Sequence, residues 1–178
     1  MNLAGRILKW VGWHYDCKVE VPAKCVICVA PHTSNWDFII GELAAHAWGF
    51  KTGFLMKNTW FFWPMGYIMR ALGGIPVKQH EHTNVTSQVV AELTSRERLA
   101  IAVTPEGTRS RTEHWHKGFL HIAREANVPV LLAYIDYDTR EVCIDREFIP
   151  GNDIDADLNT IKEYYSTHRG KHPEKFAV

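Results

Sequence analysis

The first residues that could do chemistry are His32 and Asp37, five positions apart in the run APHTSNWDF. They follow the apolar run CVICVA and precede the apolar pattern WDFIIGELAAHAW, so they lie in a turn between a predicted strand and a predicted helix. A carboxylate bonded to one imidazole nitrogen fixes the tautomer and makes the other nitrogen a better proton acceptor. The pair could therefore take a proton from a hydroxyl. The alternative interpretation is a histidine that merely caps the helix.

The second candidate is the turn PEGTRS at residues 105–110. Pro105 and Gly107 favour a tight turn, and a glycine leaves its backbone N–H open to approach by a ligand. Glu106 and Arg109 place opposite charges on this turn. An arginine beside a glycine turn can bind a phosphate or a carboxylate. The alternative is an exposed ion pair, worth roughly 0–1 kcal/mol and without a functional role.

The elements that must position these residues alternate along the chain. The predicted strands are KCVICVA, KTGFLM, GGIPV, LAIAVT, VPVLLAYIDY and EVCIDREFI. The predicted helices are WDFIIGELAAHAW, NVTSQVVAELTS, GFLHIAREAN and DLNTIKEYYSTHR, with a helix broken at Pro64 in TWFFWPMGYIMRAL. This alternation predicts an α/β fold with a mainly parallel central sheet and helices on both faces. Ligand sites in such sheets gather at the C-terminal ends of the strands, where His32 and the PEGTRS turn both fall.

Bulk composition indicates one ordinary globular domain spanning residues 1–178. Lys plus Arg and Asp plus Glu number 20 each, which gives a net charge of zero. A nucleic-acid-binding domain normally carries a basic excess, so nucleic acid is not an expected partner. Cys25 and Cys28 fall on opposite faces of a strand, which disfavours a shared disulfide or metal and predicts buried thiols in a reducing cytoplasm.

Two segments predict contact with a membrane surface, although no apolar stretch is long enough to span one. Residues 1–13 form a short amphipathic helix, and residues 60–69 are rich in aromatic side chains around Pro64. The protein is therefore expected in the cytoplasm, peripherally bound to the inner face of the membrane. The alternative is that both segments face the protein core.

Two histidine pairs resemble metal-binding tracts but lack an established ligand spacing. They are His80 and His82 in HEH, and His114 and His116 in HWH. We expect solvated loop histidines and no metal site.

Taken together, HTSNWD and PEGTRS resemble the motifs of the glycerolipid acyltransferase family, typified by lysophosphatidic acid acyltransferases. The family has four blocks in order, beginning with a histidine and an aspartate that are separated by four residues. That block is intact here at His32 and Asp37, and the third block is intact from Pro105 to Ser110, with Thr104 in place of the usual phenylalanine. WHKGFLHIA resembles the Lys-x-Gly helix start of the family. The resemblance covers roughly residues 25–135.

The second and fourth blocks depart from the family pattern. The second usually ends in Asp-Arg after a strand such as GGIPV, and its arginine is associated with the phosphate of the acceptor. Lys78 and Gln79 stand there instead, and Ala133 replaces a common proline in the fourth block. The resemblance therefore implies either an acceptor without glycerol phosphate or one bound by Arg109 and Lys78 in another geometry. Lys117 is a further candidate for substrate binding.

The resemblance implies acyl transfer in membrane-lipid synthesis, without a covalent acyl-enzyme and without a cofactor. His32, oriented by Asp37, would deprotonate an acceptor hydroxyl, which attacks the thioester of acyl-CoA or acyl-carrier-protein. Glu106, Gly107, Thr108 and Arg109 would bind the acceptor or stabilise the oxyanion. The partners are thus an acyl donor, a lyso-lipid acceptor and a membrane surface.

Two other functions use the same residues. The chain could be a non-catalytic relative that binds a lipid or an anion, with its second block altered because the chemistry is lost. It could also be a thioesterase-like hydrolase whose His32 and Asp37 activate water. The sequence contains no GxSxG motif, the usual signature of a serine hydrolase.

Overall fold

The computed structural model describes residues 2–78 and 85–178. The helices are α1 Leu3–Trp10, α2 Trp36–Trp48, α3 Met65–Ala71, α4 Val85–Ser95, α5 Gly118–Ala126 and α6 Ile154–Tyr165. The strands are β1 His14–Cys17, β2 Lys24–Val29, β3 Thr52–Lys57, β4 Gly74–Val77, β5 Leu99–Val103, β6 Val130–Asp136 and β7 Glu141–Phe148. Short 3₁₀ turns lie at Asn58–Trp60 and Pro173–Lys175.

The strands join in one sheet in the order β1-β7-β6-β2-β5-β3-β4. Every neighbouring pair is parallel except β6 and β7, which are joined by a tight connection and run antiparallel. The predicted α/β fold with a mainly parallel sheet and a short N-terminal helix is confirmed. The sheet also contains β1, a short edge strand that sequence reasoning missed because its side chains are exposed or half-buried and it has no apolar run.

Helices cover both faces of the sheet because successive side chains of its central strands point to opposite faces and are apolar on both. Val26 and Cys28 of β2 point to a core shared with α4, α5 and α6. Cys25 and Ile27 point to the opposite face, which α1 and α2 cover with Leu8, Ile40 and Ala44. β2 is therefore buried on both sides, as its uninterrupted apolar sequence predicts. The chain's four cysteines are free thiols.

The sheet brings the two candidate motifs to the same edge. β2 pairs in parallel with β5, and Cys28 lies opposite Val103 near the ends of both strands. The loops that follow these strands contain His32 and the 105–110 turn, so the two loops leave the sheet side by side. β6 pairs with β2 on its other side, and the loop after β6 therefore joins the same edge.

None of the helices in the described ranges has the length and apolar character needed to cross a bilayer.

Candidate active site

The imidazole of His32 contacts the carboxylate of Asp37. Nδ1 of His32 lies 3.3 Å from Oδ2 of Asp37. The histidine side chain is 20% exposed, whereas the aspartate side chain is 2% exposed. One ring nitrogen thus faces a buried carboxylate, and the ring remains accessible from outside. In the described part of the chain, the ring makes no capping contact with α2, since the N–H of Trp36 at its start donates to the hydroxyl of Ser34.

Asp37 is held by the backbone of its own turn. Its Oδ2 accepts hydrogen bonds from the N–H groups of Thr33 (2.9 Å) and Ser34 (2.8 Å). Its Oδ1 accepts a 2.7 Å hydrogen bond from the hydroxyl of Tyr137. The hydroxyl of Ser34 accepts a bond from the N–H of Trp36 at the start of α2. The sequence HTSNWD therefore folds into a closed turn because its aspartate binds back to the residues just before it.

Glu106 joins the two motifs. Its side chain is buried, and its two carboxylate oxygens lie 3.1 and 3.0 Å from the backbone N–H of His32, which donates to them. Burial raises the pKa of Glu106 to about 7, the nearby charge of Asp37 acts in the same direction, and the bond from His32 partly offsets both. Glu106 therefore fixes the main chain that carries the imidazole, and its charge changes near neutral pH.

The 105–110 turn is compact around Gly107. This glycine has φ = +63°, and a Cβ here would lie 2.5 Å from Cδ2 of His116. Its N–H donates to the carbonyl of Thr104 at 3.1 Å. The N–H of Gly107 is thus engaged within the turn, whereas the N–H groups of Thr108 and Arg109 make no hydrogen bond within residues 2–78 and 85–178.

A cavity of about 750 Å³ lies between α2 and the sheet, with the catalytic candidates at one end. His32, Asp37, Thr104 and Arg109 are among the polar residues of its lining. The remaining walls are mostly apolar. They include Ile27, Val29, Phe38, Ala45, Trp48, Phe54, Met69, Leu72, Ala133 and Ile135. The lining thus combines a largely apolar surface with the imidazole of His32.

The other predicted binding residues lie outside this lining. Lys78 follows β4, and its backbone exchanges hydrogen bonds with the side-chain amide of Gln88. Lys117 forms an ion pair with Asp155 of α6. Gln79 lies outside the described residues. Substrate binding by either lysine stays a prediction.

Of the two histidine pairs, the structure describes only the second. His80 and His82 lie outside the described residues. The rings of His114 and His116 contact each other edge to face, with centroids 5.5 Å apart.

The site includes contacts that sequence reasoning missed. Tyr137 follows β6, and its bond to Asp37 spans 100 positions of the chain. The hydroxyl of the buried Thr33 accepts a bond from the N–H of His172 in the segment after α6. No local sequence pattern signals either contact, because each depends on a loop that reaches the edge of the sheet from far along the chain.

Comparison with known protein families is consistent with this geometry. The family model described as Acyltransferase matches residues 15–135, more than half of the chain. The chain belongs to the Acyltransferase family. The predicted membership is thereby confirmed, and the match contains both the His32–Asp37 pair and the turn with Glu106.

A solved structure has a similar fold. The acyltransferase resembles the crystal structure of the 1-acyl-sn-glycerophosphate (LPA) acyltransferase PlsC from Thermotoga maritima, with a TM-score of 0.64 and 21% sequence identity. The similarity covers 90% of this chain and 73% of that chain. At this identity the likeness concerns the fold. Comparison with curated proteins gave no match.

Proposed function

We propose that this acyltransferase moves a fatty acyl group from a thioester donor, acyl-CoA or acyl-carrier-protein, to a hydroxyl of a lyso-lipid acceptor. The observation that carries the proposal is the His32–Asp37 pair at the end of an apolar cavity whose lining includes Arg109. An apolar cavity suits an acyl chain, and the arginine suits an anionic group close to the reacting hydroxyl.

The reaction needs only these groups and the two substrates. The free ring nitrogen of His32 takes the proton of the acceptor hydroxyl as its oxygen attacks the thioester carbonyl carbon. Asp37 stabilises the imidazolium that forms. The N–H groups of Thr108 and Arg109 are the proposed donors to the oxyanion of the tetrahedral intermediate. The carbon–sulfur bond then breaks, the thiolate leaves with the proton from His32, and the ester remains on the acceptor.

The acceptor is proposed to carry an anionic group. Arg109 lines the cavity and is exposed at its mouth, which supports contact with a phosphate or carboxylate. Lys78 is a second proposed contact because β4 ends at the same edge of the sheet as β5. Gln79 replaces the family arginine, so we propose that the acceptor range includes lyso-lipids without glycerol phosphate.

A membrane surface is the proposed source of the acceptor. Large apolar side chains are exposed on α1 and around α3, where Trp10 is 87% exposed and Trp63 is 81% exposed. Trp36, Phe38 and Ile39 at the start of α2 add further exposed apolar surface beside the catalytic loop. Exposed aromatic and aliphatic groups of this kind suit the interface of a bilayer. We propose peripheral attachment to the cytoplasmic face.

One assay tests the proposed reaction. The protein is incubated with radiolabelled acyl-CoA or acyl-carrier-protein and a panel of lyso-lipids with and without head-group phosphate. Transfer of the label to a lyso-lipid supports the proposal and identifies the acceptor. Release of free fatty acid at the same rate with and without acceptor would instead indicate a thioesterase, and an unchanged donor would indicate a binding protein.

A further inference from the structure

The carboxylate of Asp37 uses its two oxygens differently. Oδ2 faces the ring of His32 and the N–H groups of its own turn, whereas Oδ1 is bound by the hydroxyl of Tyr137 at 2.7 Å. Asp37 is almost fully buried, so water does not compete for these positions. The orientation of the carboxylate plane therefore depends on a residue beyond the matched part of the chain, residues 15–135.

We propose that Tyr137 is a positioning residue of the active site, acting on His32 through Asp37. This inference rests on the proposed function, because it assigns Tyr137 a role in the step that His32 performs. Without a donor at Oδ1, only the N–H groups of Thr33 and Ser34 at Oδ2 oppose rotation of the carboxylate about its Cβ–Cγ bond, so Oδ2 is held less firmly toward the imidazole. The phenol blocks that rotation, since moving Oδ1 would break a short bond to a charged acceptor.

Tyr137 is itself held by one contact of its ring and one of its backbone. Its ring meets the ring of Trp13 edge to face, with centroids 4.9 Å apart and planes at 87°. Its backbone N–H donates to the carbonyl of Arg169 at 2.8 Å. Trp13 is buried and follows α1. Segments from both ends of the described chain thus hold Tyr137, and through it the catalytic carboxylate.

The chemical state of the phenol suits this role. Burial raises the pKa of Tyr137 well above its usual range, and the bond to Asp37 and the charge of Asp37 act in the same direction. The hydroxyl therefore keeps its proton at neutral pH and remains a donor. It does not exchange protons with the substrate, because it faces Asp37 on the side away from the imidazole-facing oxygen.

The test is Tyr137→Phe, which removes the hydroxyl and keeps the ring against Trp13. We expect kcat to fall by about 10-fold, the loss of one hydrogen bond to a charged group, with KM for both substrates unchanged. The matched control is Tyr164→Phe, which removes a tyrosine–aspartate bond of 3.2 Å to Asp145, away from the cavity lining. The control should keep the wild-type kcat. Circular dichroism checks that both variants are folded.

A double-mutant comparison separates positioning from a general loss of stability. In an Asp37→Ala background, adding Tyr137→Phe should lower the residual kcat by less than about 2-fold, because the group on which Tyr137 acts is gone. An equal fall in both backgrounds, or a wild-type kcat for Tyr137→Phe alone, would overturn the inference.

The variant His32→Ala distinguishes failure of the positioning role of Tyr137 from failure of the proposed function. If His32→Ala is inactive and Tyr137→Phe is fully active, only the positioning role is wrong. If His32→Ala keeps wild-type activity, the proposed function and the positioning role both fail.

Discussion

Single residues in this site are positioned by backbone groups as much as by other side chains. Asp37 accepts two N–H groups of its own turn, and Glu106 accepts the N–H of His32. Two buried carboxylates, one in the first turn of α2 and one in the loop after β5, therefore bind the same loop. The short loop can carry an accessible imidazole because its main chain has little freedom to move.

The first prediction concerns the general base. We expect His32→Ala to lower kcat by roughly 10²–10⁴-fold, the usual contribution of a positioned base. The matched control is His46→Ala, which removes an exposed imidazole near the C-terminal end of α2. Steady-state rates of acyl transfer measure both. Equal rates for His32→Ala and the wild type would restore the interpretation of His32 as a structural residue.

The second prediction uses the pKa of Glu106, which burial raises from 4.5 to about 7. Between these pH values the folded chain binds more protons than the unfolded chain. The contribution of the protonated Glu106 carboxyl to the free energy of unfolding is therefore complete below pH 4.5 and is lost as the pH rises through 7. Urea unfolding at pH 5 and pH 8 measures it. Relative to Glu106→Gln, the wild type should lose about 3 kcal/mol of unfolding free energy across that interval. Parallel pH dependences in the two proteins would contradict the prediction.

The third prediction assigns Arg109 to the acceptor. Arg109→Ala should raise KM for an anionic lyso-lipid by roughly 10-fold, because one charge-assisted contact is lost, and leave KM for the donor unchanged. The control is Arg111→Ala, an exposed arginine of the same loop that is not part of the cavity lining. A change confined to the donor's kinetics would mean that Arg109 binds the other substrate.

Of the residues in the candidate site, the sequence predicts those that follow the ends of strands. His32, Asp37, Glu106 and Arg109 come together because parallel neighbouring strands end at one edge, and the alternation of elements makes that predictable. Tyr137 could not be predicted in the same way. Its contact requires the order of strands in the sheet, and the sequence does not specify that β6 lies beside β2.

Among the elements, α1 and α3 have large apolar side chains that are exposed in the part of the chain that the structure describes. α1 buries Leu8 against α2 but leaves Leu3 and Trp10 exposed, and the segment around α3 leaves Trp63 and Tyr67 exposed. The interpretation that both segments face the core therefore does not account for all of their apolar side chains, since α1 buries Gly5 and Leu8 and α3 buries only Gly66. Only the exposed side chains are available to a bilayer.

The fourth prediction tests those side chains together. We expect the double change Trp10→Ser and Trp63→Ser to weaken binding to anionic phospholipid vesicles by at least about 10-fold. Each aromatic side chain that enters the bilayer interface contributes on the order of 1–3 kcal/mol to the free energy of binding. Co-sedimentation with vesicles measures the binding. Ile149→Ser is the control, since Ile149 is also exposed but lies beyond β7. Equal binding by all three proteins would mean that α1 and α3 do not contact lipid.

Elements were predictable where apolar periodicity is strong. β2, β5 and β6 have uninterrupted apolar runs, and α3 begins directly after Pro64, where the sequence predicts a helix break. β1 was not predictable, because an exposed edge strand has no burial pattern to produce a signal. Its place is set by pairing with β7, which depends on the rest of the sheet.

For the whole molecule, the segment after α6 connects the C-terminal part of the chain to the residues beside the candidate site. The N–H of Arg169 donates to Asp136, Gly170 lies against Pro31 and Thr33, and the indole of Trp115 donates to the carbonyl of Ala177. This segment crosses the edge of the sheet that carries the site. It contacts the loop that carries His32, and residues 169–172 are not among those that line the cavity.

The fifth prediction follows from that close contact. A Cβ at Gly170 would lie 2.7 Å from Oγ1 of the buried Thr33, so Gly170→Ala should cost about 1–3 kcal/mol of stability by overpacking and lower Tm by several degrees. The control is Gly151→Ala, where the nearest atom would be 3.5 Å away. Thermal unfolding measures both. An unchanged Tm for Gly170→Ala would mean that this segment moves aside at no cost.

The contacts of Tyr137 and Thr33 also bear on when the protein becomes competent during its synthesis. A chain emerging from the ribosome can form β2, α2 and β5 early, since domains begin to fold from their N-terminal parts. The turn that holds the imidazole, however, is completed by residues 137 and 169–172, which emerge much later. A nascent chain lacking them would already contain the aromatic groups that we propose to contact lipid, but the loop that carries His32 would be incompletely ordered. The proposed attachment to a bilayer can thus precede the ability to acylate.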